Sequence, residues 1–174
     1  MSADVERLFN TYHTTLVRYL TRRLGDRDWA EEVAQETFVR ALRQDSIFNE
    51  RSWLFAVATN LVRDEARKDA RRRRHLELLR AEASEEAEPE PEGLSAEQAE
   101  RAAMARQALD QLAERDRNAL LMKEEGLDYL EIAAALELSF GSVGTTLARA
   151  RKRLAEAYEA LERERGGGRG HVAG

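Results

Sequence analysis

The 174-residue chain carries 43% hydrophobic residues beside 35% charged ones, which suits one ordinary domain or two small ones and leaves little for large sheets. With no cysteine, disulfides and thiolate metal sites are excluded, and histidines scattered at 13, 75 and 171 form no ligand cluster, so neither metal nor cofactor is expected. No apolar run approaches the roughly 18 residues a bilayer span requires, and the first residues lack a basic-then-apolar leader. The expectation is a cytoplasmic protein without membrane insertion.

Only ten glycines and two prolines, among abundant Ala, Leu, Glu and Arg, predict an all-α fold. The net charge of −5 conceals a segregated pattern. Residues 63–74 hold seven Arg or Lys against three acids, whereas 82–100 hold eight Glu and no base.

Over 4–24, Val5, Leu8, Phe9, Tyr12, Leu16, Tyr19 and Leu20 recur at helical spacing, and Gly25 supplies a stop. A second helix opens near Asp26 or Asp28 and runs to about Arg43, with Ala30, Val33, Ala34, Thr37, Phe38, Ala41 and Leu42 as its packing stripe. Beside that stripe Glu32, Gln35, Glu36 and Val39 share a sector of about 100°. Two acids, an amide and an apolar side chain suit a docking surface, and equally a solvated face with a stray valine.

The segment QDSIFN, 44–49, breaks the pattern and reads as a loop holding Ser46, Ile47 and Phe48. Phe48 and nearby Trp53 offer flat surface to an unstacked base, or else close a core. The helix that follows, 49–74, turns Leu54, Val57, Ala58 and Leu61 to one side. On another side Asn60, Arg63, Arg67 and Arg71 follow at intervals of three or four residues. Guanidinium forks suit phosphates and an amide suits a base edge, so the band fits a nucleic-acid strand; alone, it also fits a solvated charged face.

After residue 80 both prolines and a dense glutamate run mark a boundary, since such a stretch buries too little to fold alone. The expected layout is a helical domain over 1–80, an acidic flexible linker over 81–98, a second helical domain over 99–163 and a disordered tail over 164–174. In the second domain Asp128 and Glu131 form a capping-box start for DYLEIAAAL, and Ser139 caps SVGTTLARARKRLAEAYEAL. Two helices joined by a short turn make a helix-turn-helix. Val143, Leu147, Ala150, Leu154 and Leu161 face its core, while Ser142, Thr145, Arg149 and Lys152 project outward, where base and phosphate contacts fall in this motif.

Three motifs in this order, AEEVAQETFVRAL, RSWLFAVATNLVRDEARKDARRRR and DYLEIAAALELSFGSVGTTLARARKRL, resemble the bacterial sigma factors of the extracytoplasmic-function group within the sigma-70 family, over about 4–163. The resemblance implies a subunit that starts RNA polymerase at chosen promoters. Its core-polymerase contacts, on the clamp helices of the largest subunit, correspond to Glu32, Gln35, Glu36 and Val39. The 49–74 helix and the QDSIFN loop correspond to the parts that open the minus-ten element and capture a flipped base. The linker corresponds to a segment threading the RNA path. The C-terminal domain corresponds to the part that binds the flap of the second-largest subunit and the minus-thirty-five element. An anti-sigma factor is the further partner it implies. Gly144 and Ala148 stand where many members carry larger side chains, which removes two candidate DNA contacts, and Ala113 stands where proline is frequent.

A stand-alone helix-turn-helix regulator, with the N-terminal half as a sensor or dimerisation domain, is the alternative; it leaves the first basic helix unexplained. A helical adaptor that binds only protein leaves both arginine bands unexplained. Enzymatic activity is not expected, because no carboxylate pair, activated nucleophile or phosphate-cradling glycine loop occurs.

Overall fold

A computed structural model of the chain describes residues 4–77 and 93–169, and within them the side chains of 4–65 and 93–167. The described residues form seven helices and no strand. Most of the expected linker lies outside the described residues.

Helix α1, Val5–Leu24, starts where the Asp4 carboxylate accepts the Arg7 N–H at 3.1 Å and stops at Gly25, whose φ of 71° lets its N–H reach the Thr21 carbonyl. Helix α2, Arg27–Leu42, repeats this start with Asp26 accepting from Trp29. Asn49, at φ 51°, turns the chain into α3, Glu50–Glu77; asparagine tolerates that left-handed region better than most residues. Beyond the linker, Ser95 and Gln98 close a capping box on α4, Ala96–Asp110. Helix α5, Glu114–Glu124, begins at Ala113 without a side-chain cap. Asp128 and Glu131 form the expected capping box on α6, Tyr129–Leu136. Glu137, left-handed at φ 55°, makes the turn into α7, Phe140–Arg169.

Helix α7 therefore replaces the first six residues of the tail expected over 164–174 with helix. An established helix extends at little cost, unlike one that must nucleate, and Arg165 ties this end to Glu100 of α4 at 3.4 Å. The remainder of that tail, 170–174, lies outside the described residues.

In the N-terminal domain α1 and α2 pack together with α3 against them; in the C-terminal domain α4, α5 and α6 pack on α7. Contacts of α3 with α6 and of α1 with α5 then join the domains. One buried cluster runs from Leu8, Tyr19, Phe38 and Phe55 to Met122, Ile132 and Leu147 without interruption. The Tyr19 hydroxyl, fully buried, pairs with Thr59 Oγ1 at 2.8 Å, and burial pushes its phenol up to about 12.

Candidate nucleic-acid and polymerase interfaces

The α2 stripe is buried as expected from Ala30 to Ala41, but Leu42 is not: it is 57% exposed. Leu42 lies seven residues, nearly two whole turns, beyond Gln35 and so shares its side of the helix. Glu32 and Gln35 are exposed, Glu36 and Val39 half-buried, and Glu36 pairs with Arg40 at 3.3 Å. The four residues thus share one accessible side of α2, and Leu42 adds an apolar end that periodicity assigned to the core.

At the head of α3, Phe48 is 84% exposed, the most open large hydrophobic among the described residues. Ile47 packs against the core and Ser46 is exposed. Trp53, offered as a second stacking surface, instead packs against the core. A cavity of about 750 Å³ opens beside the loop, lined by Tyr12, Phe48, Asn49, Arg51 and, from the other domain, Glu131. Further along α3 Asn60 and Arg63 are exposed on the expected band. The backbone of Arg67 and Arg71 continues the same helix, and their side chains lie outside the described residues.

The outward face of α7 departs from expectation in its chemistry. Arg149 spends its fork on Asp116 of α5, with Nε at 3.1 and 3.2 Å from the two carboxylate oxygens and Nη2 at 2.7 Å. Asp116 is 1% exposed and also receives Arg153 at 3.4 Å. The Arg149 hydrogen bonds and charge hold the Asp116 carboxyl below its ordinary value. Ser142 is half-buried and its hydroxyl pairs with that of Ser139. Thr145 is exposed, and Lys152 is exposed with Glu156 at 4.0 Å. Leu154 and Leu161, placed on the core face, are half-buried.

Several arginines of the N-terminal domain are met by acceptors of the C-terminal one. Arg51 makes two hydrogen bonds of 2.6 Å to Glu131, and this pairing is the main cause of the lowered Glu131 pKa. Arg63 pairs with Glu114 at 3.1 Å, Arg18 holds the nearly buried Glu125 at 2.9 Å, and Arg23 donates to Asn118. Arg63 and Arg149 consequently line one cleft of about 440 Å³ with Glu114 and Asp116. Nothing in the sequence pairs 63 with 114 or 149 with 116; only packing does.

A basic helix in one helical domain and a helix-turn-helix in the other are the arrangement of a DNA-binding protein of transcription. Residues 8–72 match the family model for sigma-70 region 2, and 102–154 match that for sigma-70 region 4. The chain is 34% identical to the ferric citrate uptake sigma factor FecI of Escherichia coli, across 86% of this chain and 87% of that protein. It is 31% identical to the ECF RNA polymerase sigma factor BldN of Streptomyces coelicolor, across 86% of this chain and 58% of that one. Its fold resembles that of the sigma factor RpoE from Bartonella quintana, solved with the anti-sigma factor NepR, with a TM-score of 0.64 at 22% identity over 90% of this chain and 97% of that one.

The chain belongs to the sigma-70 family of RNA polymerase sigma factors, in the extracytoplasmic-function group. It is a transcription initiation factor that binds core RNA polymerase and directs it to specific promoters, with region 2 serving the minus-ten element and region 4 the minus-thirty-five element. The region 2 match accounts for the N-terminal half, so the stand-alone regulator reading is superseded. Among the described residues no helix is long and apolar enough to cross a membrane.

Proposed function

We propose that the work of initiation divides among three surfaces. Glu32, Gln35, Glu36 and Val39, extended by Leu42, dock on the clamp helices of the polymerase's largest subunit. The loop residues Ser46, Ile47 and Phe48, with Asn60, capture an extruded base of the minus-ten element. Arg63, Arg67 and Arg71 follow the phosphates beside it. In the C-terminal domain Thr145 and Lys152 meet the minus-thirty-five element with Ser142 close by, while Arg149 acts chiefly as the brace between α5 and α7. The flap of the second-largest subunit is the C-terminal domain's protein partner.

The functional units are 1–80 and 99–163, with 81–98 as the acidic connector between them. The chain acts in the cytoplasm, where its promoters are, and performs no catalysis itself. An anti-sigma protein is its proposed regulator; the apolar groove of about 890 Å³ between α1 and the C-terminal domain, lined by Leu109, Leu120 and Leu154 and rimmed by Arg22 and Arg151, suits an apolar helix carrying acids.

The observation that carries this reading is the exposed Phe48 at the head of a helix whose exposed side continues through Asn60 and Arg63. A ring with 84% of its surface in water is poorly explained by stability and well explained by stacking on a base. In the closed packing Glu114 and Glu131 occupy Arg63 and Arg51, so promoter binding on core polymerase exchanges carboxylates for phosphates. The test is transcription with core polymerase over a promoter library randomised at the minus-ten element. Exchange of 46–48 should change which bases are tolerated, by about 1–3 kcal/mol per misread position, whereas Arg63→Ala should weaken all promoters alike. A uniform loss on loop exchange would overturn the base-capture role.

A further inference from the structure

The N-terminal half of α7 presents apolar and small residues and no arginine before Arg149. Phe140, its first residue, is 57% exposed. Gly144 and Ala148 follow at intervals of four, and Gly141 and Thr145 lie beside them, all accessible. Arg149, the one guanidinium on the expected reading set, has its fork engaged by Asp116. What remains at the N-terminal end of α7 is therefore a ring, a threonine, bare backbone at Gly141 and Gly144, and the Ser139 and Ser142 hydroxyls, which are paired with each other. That end is the part of a helix-turn-helix that reaches base edges.

The ring is held rather than loose. Tyr129 of α6 lies against Phe140 with ring centroids 6.3 Å apart and planes at 59°, and Lys123 sits 5.9 Å over the Tyr129 ring. A Cβ at position 144 would rest in ordinary contact with Tyr129 Cε2, at 3.6 Å, so Gly144 lies directly beside that ring. Tyr129, 38% exposed, makes with Phe140 one apolar corner at the mouth of the motif. Exposed apolar groups gathered at one place mark a contact surface more often than isolated ones do.

In the major groove the apolar group on a base edge is the thymine 5-methyl, and aromatic and small apolar side chains are its partners. We infer that Phe140, positioned by Tyr129 and admitted close to the groove by Gly144, reads a thymine methyl in the minus-thirty-five element, as a specificity determinant in place of an arginine reading guanine. This rests on the region 4 reading of α7 as the upstream DNA-binding helix.

The experiment uses the full chain bound to core polymerase. A promoter library randomised at the minus-thirty-five element gives the preferred upstream sequence, and each thymine in it, on either strand, is then replaced by deoxyuridine, which lacks only the methyl. At one position the wild type should lose about fourfold in open-complex formation, the size expected for one buried methyl. Phe140→Ala should lose a similar factor on the thymine promoter and show no further loss with deoxyuridine; Phe140→Leu should keep part of the discrimination. A preferred element without thymine, no loss with deoxyuridine anywhere, or the same deoxyuridine loss in Phe140→Ala as in the wild type would each overturn the inference. So would equal losses on every promoter with weaker core-polymerase binding, because Phe140 would then belong to the flap contact. Scrambling the whole upstream element separates the two levels: if that leaves wild-type initiation unchanged, the region 4 reading itself fails.

Discussion

The two basic helices, α3 and α7, handle their arginines in opposite ways. On α3, Arg51 and Arg63 are paired by Glu131 and Glu114, carboxylates of the other domain, so their neutralisation lasts only while the domains are packed together. On α7, Arg149 and Arg153 are paired by Asp116 within the same domain, a carboxylate 1% exposed that stays whatever the domains do. The difference teaches that a basic helix is not one kind of object. On the division of labour proposed above, the α3 arginines serve DNA once the domains part, whereas the α7 pair braces α5 and readout falls to its neighbours.

The largest expected effects test whether the shared core makes one cooperative unit of the two domains. Both tryptophans, Trp29 and Trp53, lie in the N-terminal half, so their fluorescence reports that half alone. Met122→Ala empties a fully buried position in α5 and should cost about 2–5 kcal/mol. With a common core the tryptophan-reported melt should shift down together with the helical signal. A shift in circular dichroism without one in fluorescence would mean the domains melt separately and weaken the contrast drawn above.

Next in size is the α5–α7 brace. Asp116→Ala should lower the melting temperature by about 2–4 °C at neutral pH. Its folded pKa lies below the ordinary 3.8, so the carboxylate stabilises fully above that value and loses its contribution as pH falls through the lower folded one. The gap between wild type and variant should therefore close below about pH 4. A gap that persisted in acid would mean Asp116 acts through packing, not charge.

On α2, Gln35→Ala with Glu36→Ala should weaken core-polymerase association while changing stability by less than about 0.5 kcal/mol, since both sit on an accessible side. Leu42→Asp should do the same, and unaltered polymerase affinity in both would remove the docking surface from this side of the helix. The smallest effect is on the interdomain pair. Glu114→Ala releases an exposed ion pair, worth little in stability, and should raise non-specific DNA binding of the free chain about twofold at low salt, an effect vanishing as salt screens Arg63. The matched change Glu156→Ala, beside Lys152 on α7, leaves the interdomain pairs in place, and an equal rise there would erase the contrast between the helices.

Periodicity, capping residues and glycine stops located the helices because those signals are local: Asp26, Asp128 and Gly25 act on backbone within one turn. The expected α2 sector and the exposed end of α3 were legible for the same reason, since a helical wheel needs only spacing. Leu42 and Phe140 were not, because whether an apolar residue near a helix end is covered depends on what another element brings to it. What the sequence by itself determined was therefore the all-helical fold, the two basic helices with the acidic stretch between them, and which side chains share a face. Only the tertiary structure decided that the domains share a core, that Arg63 and Arg149 meet carboxylates at 114 and 116, and that Phe140 stands exposed at the start of α7. Ion pairs of half-exposed arginines leave no periodic trace in a chain, since either partner suits solvent as well, and their pairing is fixed only when packing brings two distant helix faces together.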